Sequence, residues 1–323
     1  MSAPRLIVTR RWPEEVERVL EESYDVTLNA EDRPFTAEEL QAAFRDYDAV
    51  LPTVSDRITA EVMSAEPMTA RLVGNFGVGF NHIDIEAAKA RGLTVTNTPD
   101  VLTDCTADLA MTLLLGVARR AGEGERHLRA GEWSGWRPTH MMGTKVTGKT
   151  LGLIGFGRIG KAVAERAHFG FGMRILFYDA YPPAAEAVAA VKAESCASVE
   201  EVLERADFVS LHCPGSAENR HLINAERLSA MQPHAFLINT ARGDIVEEAA
   251  LVAALKAGTI AGAGLDVYEF EPKVSPELAG LDNVLLLPHL GSATRETRVA
   301  MGMRVVDNVR AFFAGEPPPD RVA

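Results

Sequence analysis

Leu151-Gly-Leu-Ile154-Gly155-Phe-Gly157-Arg158-Ile159-Gly160 is the stretch that decides the fold. A short apolar run enters three glycines spaced G-x-G-x-x-G, and residues 161–168 continue at helical spacing. In such a strand–turn–helix unit, Gly155 permits the tight turn, Gly157 lets backbone approach a pyrophosphate, and Gly160 lets the helix pack closely on the strand. The helix N-terminus adds free N–H groups and partial positive charge for phosphate oxygens. Spacing alone is weak, because glycine turns are common. Here the next apolar run ends at Asp179, 179 − 160 = 19 residues after the last glycine, where an acid accepts hydrogen bonds from the adenosine ribose hydroxyls. A carboxylate there repels the 2′-phosphate of NADP, so NAD, as NADH in the reducing direction, is the expected cofactor.

Outward from this turn, residues 150–154, 174–178, 208–211, 235–239, 262–265 and 284–287 read as six buried strands separated by helical patterns, the sequence of a doubly wound parallel sheet. The first hundred residues form a second β/α series, with strand candidates at 6–9, 26–28, 49–51, 72–73 and 93–95 and helical patterns at 14–22 and 36–44. No glycine fingerprint follows its first strand, so the dinucleotide is expected only in the second half. Residues 103–129 read as one connecting helix, followed by a Gly-, Pro- and Trp-rich arm. The tail beyond Pro288 is too short for its own core, so its helix, with Val299, Met303, Val306 and Phe313 on one stripe, must pack on an existing domain.

Bulk properties exclude several classes. At 323 residues, 47% hydrophobic and 24% charged, the chain reads as a folded soluble protein of two domains. A formal charge of −12 opposes binding to nucleic acid or an anionic membrane, and a small anionic substrate then needs local positive charge. Cys105, Cys196 and Cys213 are too scattered for a disulfide framework or a zinc site. No metal is expected. The N-terminus lacks a signal-peptide core, and the longest apolar stretch, 110–118, is too short to span a bilayer; a cytoplasmic location is expected.

Three polar segments follow strands of the second half, at the edge where a doubly wound sheet holds its ligand. They are Ile238-Asn-Thr240-Ala-Arg242-Gly-Asp, Leu265-Asp266-Val-Tyr-Glu-Phe-Glu271-Pro and Leu287-Pro288-His289-Leu-Gly291-Ser292. Reduction of a keto carbonyl by hydride needs a proton donor, and a histidine titrates near neutrality. His289 fits that role, Glu271 can orient the imidazole, and Arg242 can pair with a carboxylate and the carbonyl oxygen. Each residue alone has a structural explanation: a core histidine, a solvated turn, a surface pair. Their joint appearance downstream of the glycine turn favours chemistry.

These segments, with the cofactor turn, resemble the signatures of the D-isomer-specific 2-hydroxyacid dehydrogenases, and the resemblance covers nearly the whole chain. Asn75-Phe-Gly77-Val78-Gly79-Phe-Asn-His-Ile-Asp84 and Asn97-Thr-Pro-Asp resemble first-domain segments whose backbone N–H groups hold the substrate carboxylate. The resemblance implies reversible reduction of a small 2-keto acid to the D-2-hydroxy acid, with Arg242, Glu271 and His289 catalytic and Asp266 behind them, influencing the pH response. It implies substrate contacts at Val78, Gly79, Arg242 and Ser292, with Trp136 reaching a partner's pocket. Implied cofactor contacts beyond the three turn glycines are Thr106, Arg158, Ile159, Asp179, Cys213, Pro214, Thr240, Asp266, His289 and Gly291.

The family architecture implies a flavodoxin-like substrate domain of residues 1–99 plus 290–323, and a Rossmann cofactor domain of 100–289. An arm around 103–145 pairs two subunits, so a homodimer is expected. Leu51-Pro-Thr-Val-Ser-Asp56-Arg57 is closer to glyoxylate and hydroxypyruvate reductases than to phosphoglycerate dehydrogenases, since Asp56 repels a phosphate and no regulatory extension is expected. Phosphite or another D-2-hydroxyacid remains an alternative substrate. So does an NADH-sensing regulatory binding protein on the same scaffold.

Overall fold

Two separate all-parallel sheets organise the protein, whose residues 3–323 are described by a computed structural model. The chain divides into two compact units: the described residues up to Leu102 with Ala293–Ala323, and Thr103–Ser292. These breaks fall slightly later than the expected 99/100 and 289/290. Thr103 opens a helix, and the N–H groups of Leu290 and Gly291 are tied to Asp266 of the second unit at 2.6 and 2.7 Å.

In the first unit, β1 (Arg5–Val8), β2 (Asp25–Leu28), β3 (Ala49–Leu51), β4 (Leu72–Gly74) and β5 (Thr94–Thr96) lie in the order β2-β1-β3-β4-β5, a flavodoxin-like winding. The inner strands β1, β3 and β4 carry buried apolar runs because both of their faces are covered, whereas the edge strand β2 has no buried residue. Helix α1 (Glu14–Glu21) buries Val16 and Leu20. Helix α2 (Ala37–Asp46) starts from a capping box in which Thr36 and Glu39 satisfy each other's backbone N–H, and buries Leu40, Ala43 and Phe44. Helix α3 (Ile85–Ala90), a segment with no clear periodicity in the sequence, is nucleated by Asp84, whose carboxylate accepts from the Ala87 N–H. The C-terminal helix Arg295–Phe313 packs on α1 and β4, burying Val305, Val306 and Val309. Beyond the strand ends, the Phe76 N–H donates to Pro52 O at 2.9 Å. Asp56, 2% exposed, accepts from the Thr9 hydroxyl at 2.6 Å and the Thr53 N–H at 2.8 Å. The Asp56 carboxylate thereby shapes the loop after β3.

The second unit has seven strands, not six. They are β6 (Thr150–Ile154), β7 (Arg174–Tyr178), β8 (Glu194–Ser195), β9 (Phe208–Leu211), β10 (Phe236–Asn239), β11 (Gly262–Leu265) and β12 (Val284–Leu286), in the order β12-β11-β10-β9-β6-β7-β8. The addition, β8, is a two-residue exposed edge strand without an apolar run to betray it. This is the doubly wound Rossmann arrangement, reversing between β6 and β9. The connecting helix is also two helices, α4 (Thr103–Ala118) and α5 (Ala121–Arg129). Arg120 breaks it at φ +53°, and the Thr144 N–H occupies the Ala118 carbonyl at 2.7 Å. Gly122 and Gly124 further weaken helix continuity there. Among the described residues, no helix is long and apolar enough to cross a membrane.

Candidate active site

The glycine turn joins β6 to helix α6 (Arg158–Glu165) at the point where the strand order reverses. Gly155 adopts φ +97°, and a Cβ there would lie 2.6 Å from the His212 carbonyl carbon and 2.7 Å from the Cys213 nitrogen. Only glycine lets the turn seat against the segment after β9. Beside Gly157 an added Cβ would meet nothing within 4 Å, and α6 has no side-chain cap, leaving its first N–H groups for a ligand. The Asp179 carboxylate is held against the turn by the Phe156 N–H at 2.6 Å and the Tyr181 N–H at 2.9 Å. Arg158 is exposed and Ile159 half-buried in the first turn of α6; Pro214 is exposed beyond β9. Burial pushes the Cys213 thiol up to about 11, so it remains a neutral thiol at physiological pH. Thr240, after β10, has a buried hydroxyl without a partner among the described residues. Open glycine backbone, uncapped helix, fixed carboxylate and orphaned hydroxyl fit a dinucleotide.

The charged groups gather after the next three strands. After β10, Asn239 closes a turn by donating to Arg242 O at 2.8 Å and accepting from the Ala241 N–H at 3.0 Å. The half-buried Arg242 guanidinium is anchored through Nη1 to Ala241 O at 2.7 Å. Burial draws its pKa below the ordinary value, opposed by the Glu271 and Asp244 carboxylates. After β11, Asp266 is buried, and the turn that follows presents Glu271, whose Oε1 accepts from the Tyr268 N–H at 3.0 Å. After β12 comes His289, whose Nδ1 lies 2.8 Å from Glu271 Oε2. A carboxylate can only accept, so Nδ1 carries the proton, and Nε2 is without a partner among the described residues.

His289 sits at φ +55°, a conformation unfavourable for a side-chain-bearing residue. Its N–H donates to Asp266 O at 2.9 Å, and the next two N–H groups donate to the Asp266 carboxylate, so Asp266 enforces the turn that presents the imidazole. Thr106 completes the support, donating to Gly291 O at 3.1 Å. Burial acts to raise the Glu271 carboxyl, but the His289 hydrogen bond and charge, the Tyr268 N–H and Arg242 outweigh it, and the net shift is downward. Asp266 moves the other way: burial raises it against its two backbone donors and His289.

The structure therefore brings Arg242, Glu271, His289 and Asp266 together, with Ser292 half-buried two residues past Leu290. Val78 and Gly79 belong to the other unit, and Trp136 lies 81% exposed on the arm. Two groups that support the site escaped sequence reading. Tyr268, whose hydroxyl donates to Leu287 O at 2.8 Å, ties the Glu271 turn to the strand that leads to His289. Glu269, accepting from His221 at 2.6 Å and the Glu248 N–H at 3.1 Å, ties the same turn to its neighbours. Both lie between recognised motif positions, and only their burial distinguishes them.

Residues 111–291 match the family model described as D-isomer specific 2-hydroxyacid dehydrogenase, NAD binding domain. A glyoxylate reductase of Thermococcus kodakarensis is 47% identical, over 99% of this chain and 96% of that protein. A solved protein of Thermus thermophilus is similar with a TM-score of 0.90 and 42% identity, over 99% of this chain and all of that one. The NADPH-dependent glyoxylate/hydroxypyruvate reductase of Sinorhizobium meliloti, solved with NADP and malonate, gives a TM-score of 0.88 and 38% identity, over 100% and 97% of the two chains. With the doubly wound sheet, the glycine turn and the Arg–Glu–His cluster at its strand ends, these likenesses show that the chain belongs to the D-isomer specific 2-hydroxyacid dehydrogenase family and is an oxidoreductase of small 2-hydroxy and 2-keto acids.

Proposed function

We propose that the protein is an NADH-dependent reductase of glyoxylate or hydroxypyruvate, yielding the D-2-hydroxy acid where the product is chiral. The observation that carries this reading is the 2.8 Å pairing of His289 Nδ1 with Glu271, which supports Nε2 as the nitrogen that faces the reacting carbonyl. Arg242, in electrostatic reach of Glu271, binds the substrate carboxylate and the carbonyl oxygen and stabilises charge on that oxygen as the carbon is reduced. His289 Nε2 gives its proton to the oxygen, and Glu271 stabilises the imidazolium that precedes this transfer. The N–H groups of Val78 and Gly79 are taken as substrate-carboxylate donors, which makes the flavodoxin-like unit the substrate domain, and Ser292 is taken as a further substrate contact.

The bound dinucleotide supplies the hydride. Its holders are the Gly155–Gly160 turn with Arg158 and Ile159, together with Asp179, Thr106, Cys213, Pro214, Thr240, Asp266, His289 and Gly291. Asp179 favours NAD, since a 2′-phosphate beside this fixed carboxylate is repelled. A cytoplasmic homodimer paired through the arm, with Trp136 reaching the partner's pocket, belongs to the same reading. Relatives that carry the names glyoxylate reductase and glyoxylate/hydroxypyruvate reductase support the choice of acid.

Absorbance of NADH and NADPH with glyoxylate, hydroxypyruvate, pyruvate and phosphite (the last with NAD) tests it. Saturable oxidation of NADH by the first two is expected, at a kcat/KM at least about tenfold above that with NADPH. Tight NADH binding without turnover of any keto acid would point to the sensor instead.

A further inference from the structure

Two glycines make Asn75-Phe-Gly77-Val78-Gly79-Phe80 a loop whose peptide planes can turn over at little steric cost. A turned peptide exchanges an N–H for a carbonyl, because the two groups point in opposite directions across a planar trans bond. A loop that receives an anion through backbone N–H groups must prevent that exchange. Here three successive carbonyls are bound by protein donors. Asn75 Nδ2 donates to Gly77 O at 2.9 Å and Gly79 O at 3.1 Å. Asn97 Nδ2 donates to Val78 O at 2.8 Å. The Thr98 N–H adds a second bond to Gly77 O at 3.1 Å.

Each bond fixes the following N–H. Holding Gly77 O sets the Val78 N–H, and holding Val78 O sets the Gly79 N–H. Neither N–H has an acceptor among the described residues. The carboxamides are themselves fixed: Asn75 is fully buried and Asn97 is 8% exposed. With Nδ2 of Asn75 spent on carbonyls, its Oδ1 accepts from His82 Nε2–H at 3.0 Å. Val54, on the loop shaped by Asp56, closes the other side, 2.9 Å from where a Cβ on Gly77 would stand.

We infer that Asn75 and Asn97 are positioning residues for substrate affinity: their carboxamides hold the Val78 and Gly79 N–H groups in the orientation that receives a carboxylate. The inference rests on the proposed reading, in which those N–H groups bind the substrate.

Two variants test it. Asn75→Asp keeps the shape but turns an acceptor on the carbonyls of Gly77 and Gly79; Asn97→Ser removes the donor from Val78 O. Each is expected to raise KM for glyoxylate and Ki for oxalate about tenfold or more, with kcat within about threefold and the NADH Kd unchanged, a split that a general loss of structure does not produce. Unchanged KM and Ki in folded variants overturn the inference. If Asn75→Asp does not fold, Asn97→Ser decides. Should the wild-type protein turn over no keto acid, the proposed function fails, and oxalate binding by calorimetry then decides the inference alone. Tenfold weaker oxalate binding by the variants supports it, while equal binding, or none by the wild-type protein, refutes it.

Discussion

Two carboxylates beside one imidazole titrate in opposite directions. Glu271 is drawn down because its His289 and Arg242 partners outweigh burial, so it is ionised through the neutral range; the stability it contributes is present above the ordinary carboxylate pKa and lost as pH falls through the lowered one. Asp266 is raised by burial, so it costs stability as pH rises past its ordinary value. Its two carboxylate oxygens also accept the Leu290 and Gly291 N–H groups. Asp266→Asn turns an N–H donor toward one of those donors, and is expected to destabilise the turn by about 1 to 3 kcal/mol, read as a lower Tm; an unchanged Tm would mean that the turn holds without the carboxylate. His289→Asn is expected to lower kcat by about 10² to 10⁴, the usual loss for a removed general acid, with KM little changed. Rates and pH profile left intact in that variant would show that another group supplies the proton.

At the scale of elements, what was legible in the sequence is what has a period or a punctuation mark. Apolar runs announced six strands of the cofactor unit, and the G-x-G-x-x-G turn announced where their order reverses. Strand β8 was hidden because Glu194 and Ser195 are polar and exposed. The break between α4 and α5 was hidden because it depends on Thr144 taking the Ala118 carbonyl, a contact 26 residues away along the chain (144 − 118). Arg242, Glu271 and His289 carried signals because each follows a strand. Asn75, Asn97 and Tyr268 act through neighbours' backbone, which no local pattern records.

One such hidden contact joins two of the elements that carry the proposed catalytic residues. A Cβ on Gly243 would lie 1.9 Å from the Tyr268 carbonyl, so the Arg242 turn and the Glu271 turn are packed backbone on backbone. Backbone cannot yield as a side-chain tip does. Gly243→Ala is expected to destabilise the cofactor unit by at least about 3 kcal/mol, lowering Tm by roughly 6 to 12 °C. In the folded fraction it should also weaken kcat/KM by separating Arg242 from Glu271. Calorimetry with steady-state kinetics checks both, and a variant with wild-type Tm would contradict the packing.

For the whole molecule, the distribution of core residues carries the argument. The cores of the cofactor unit, built around Leu151, Phe208, Phe236 and Ile238 on one side and Val209, Leu237, Leu251 and Leu265 on the other, draw only on residues between 103 and 292. The core around Phe44, Val50, Met63 and Val95 draws only on the other unit. The cofactor unit is also continuous in sequence, whereas its companion needs the C-terminal helix to return and cover β4. A contiguous segment with its own core is the structural condition for independent folding. The fragment 103–292 is therefore expected to unfold in a single cooperative transition and to bind NADH within about tenfold of the full chain, since every proposed dinucleotide contact lies inside it. It should reduce no keto acid, because the proposed substrate donors Val78 and Gly79 are absent. Fluorescence titration with NADH and an absorbance assay on the purified fragment decide the matter. Failure to fold would mean that the two cores depend on each other, and turnover by the fragment would rule out the proposed substrate role of Val78 and Gly79.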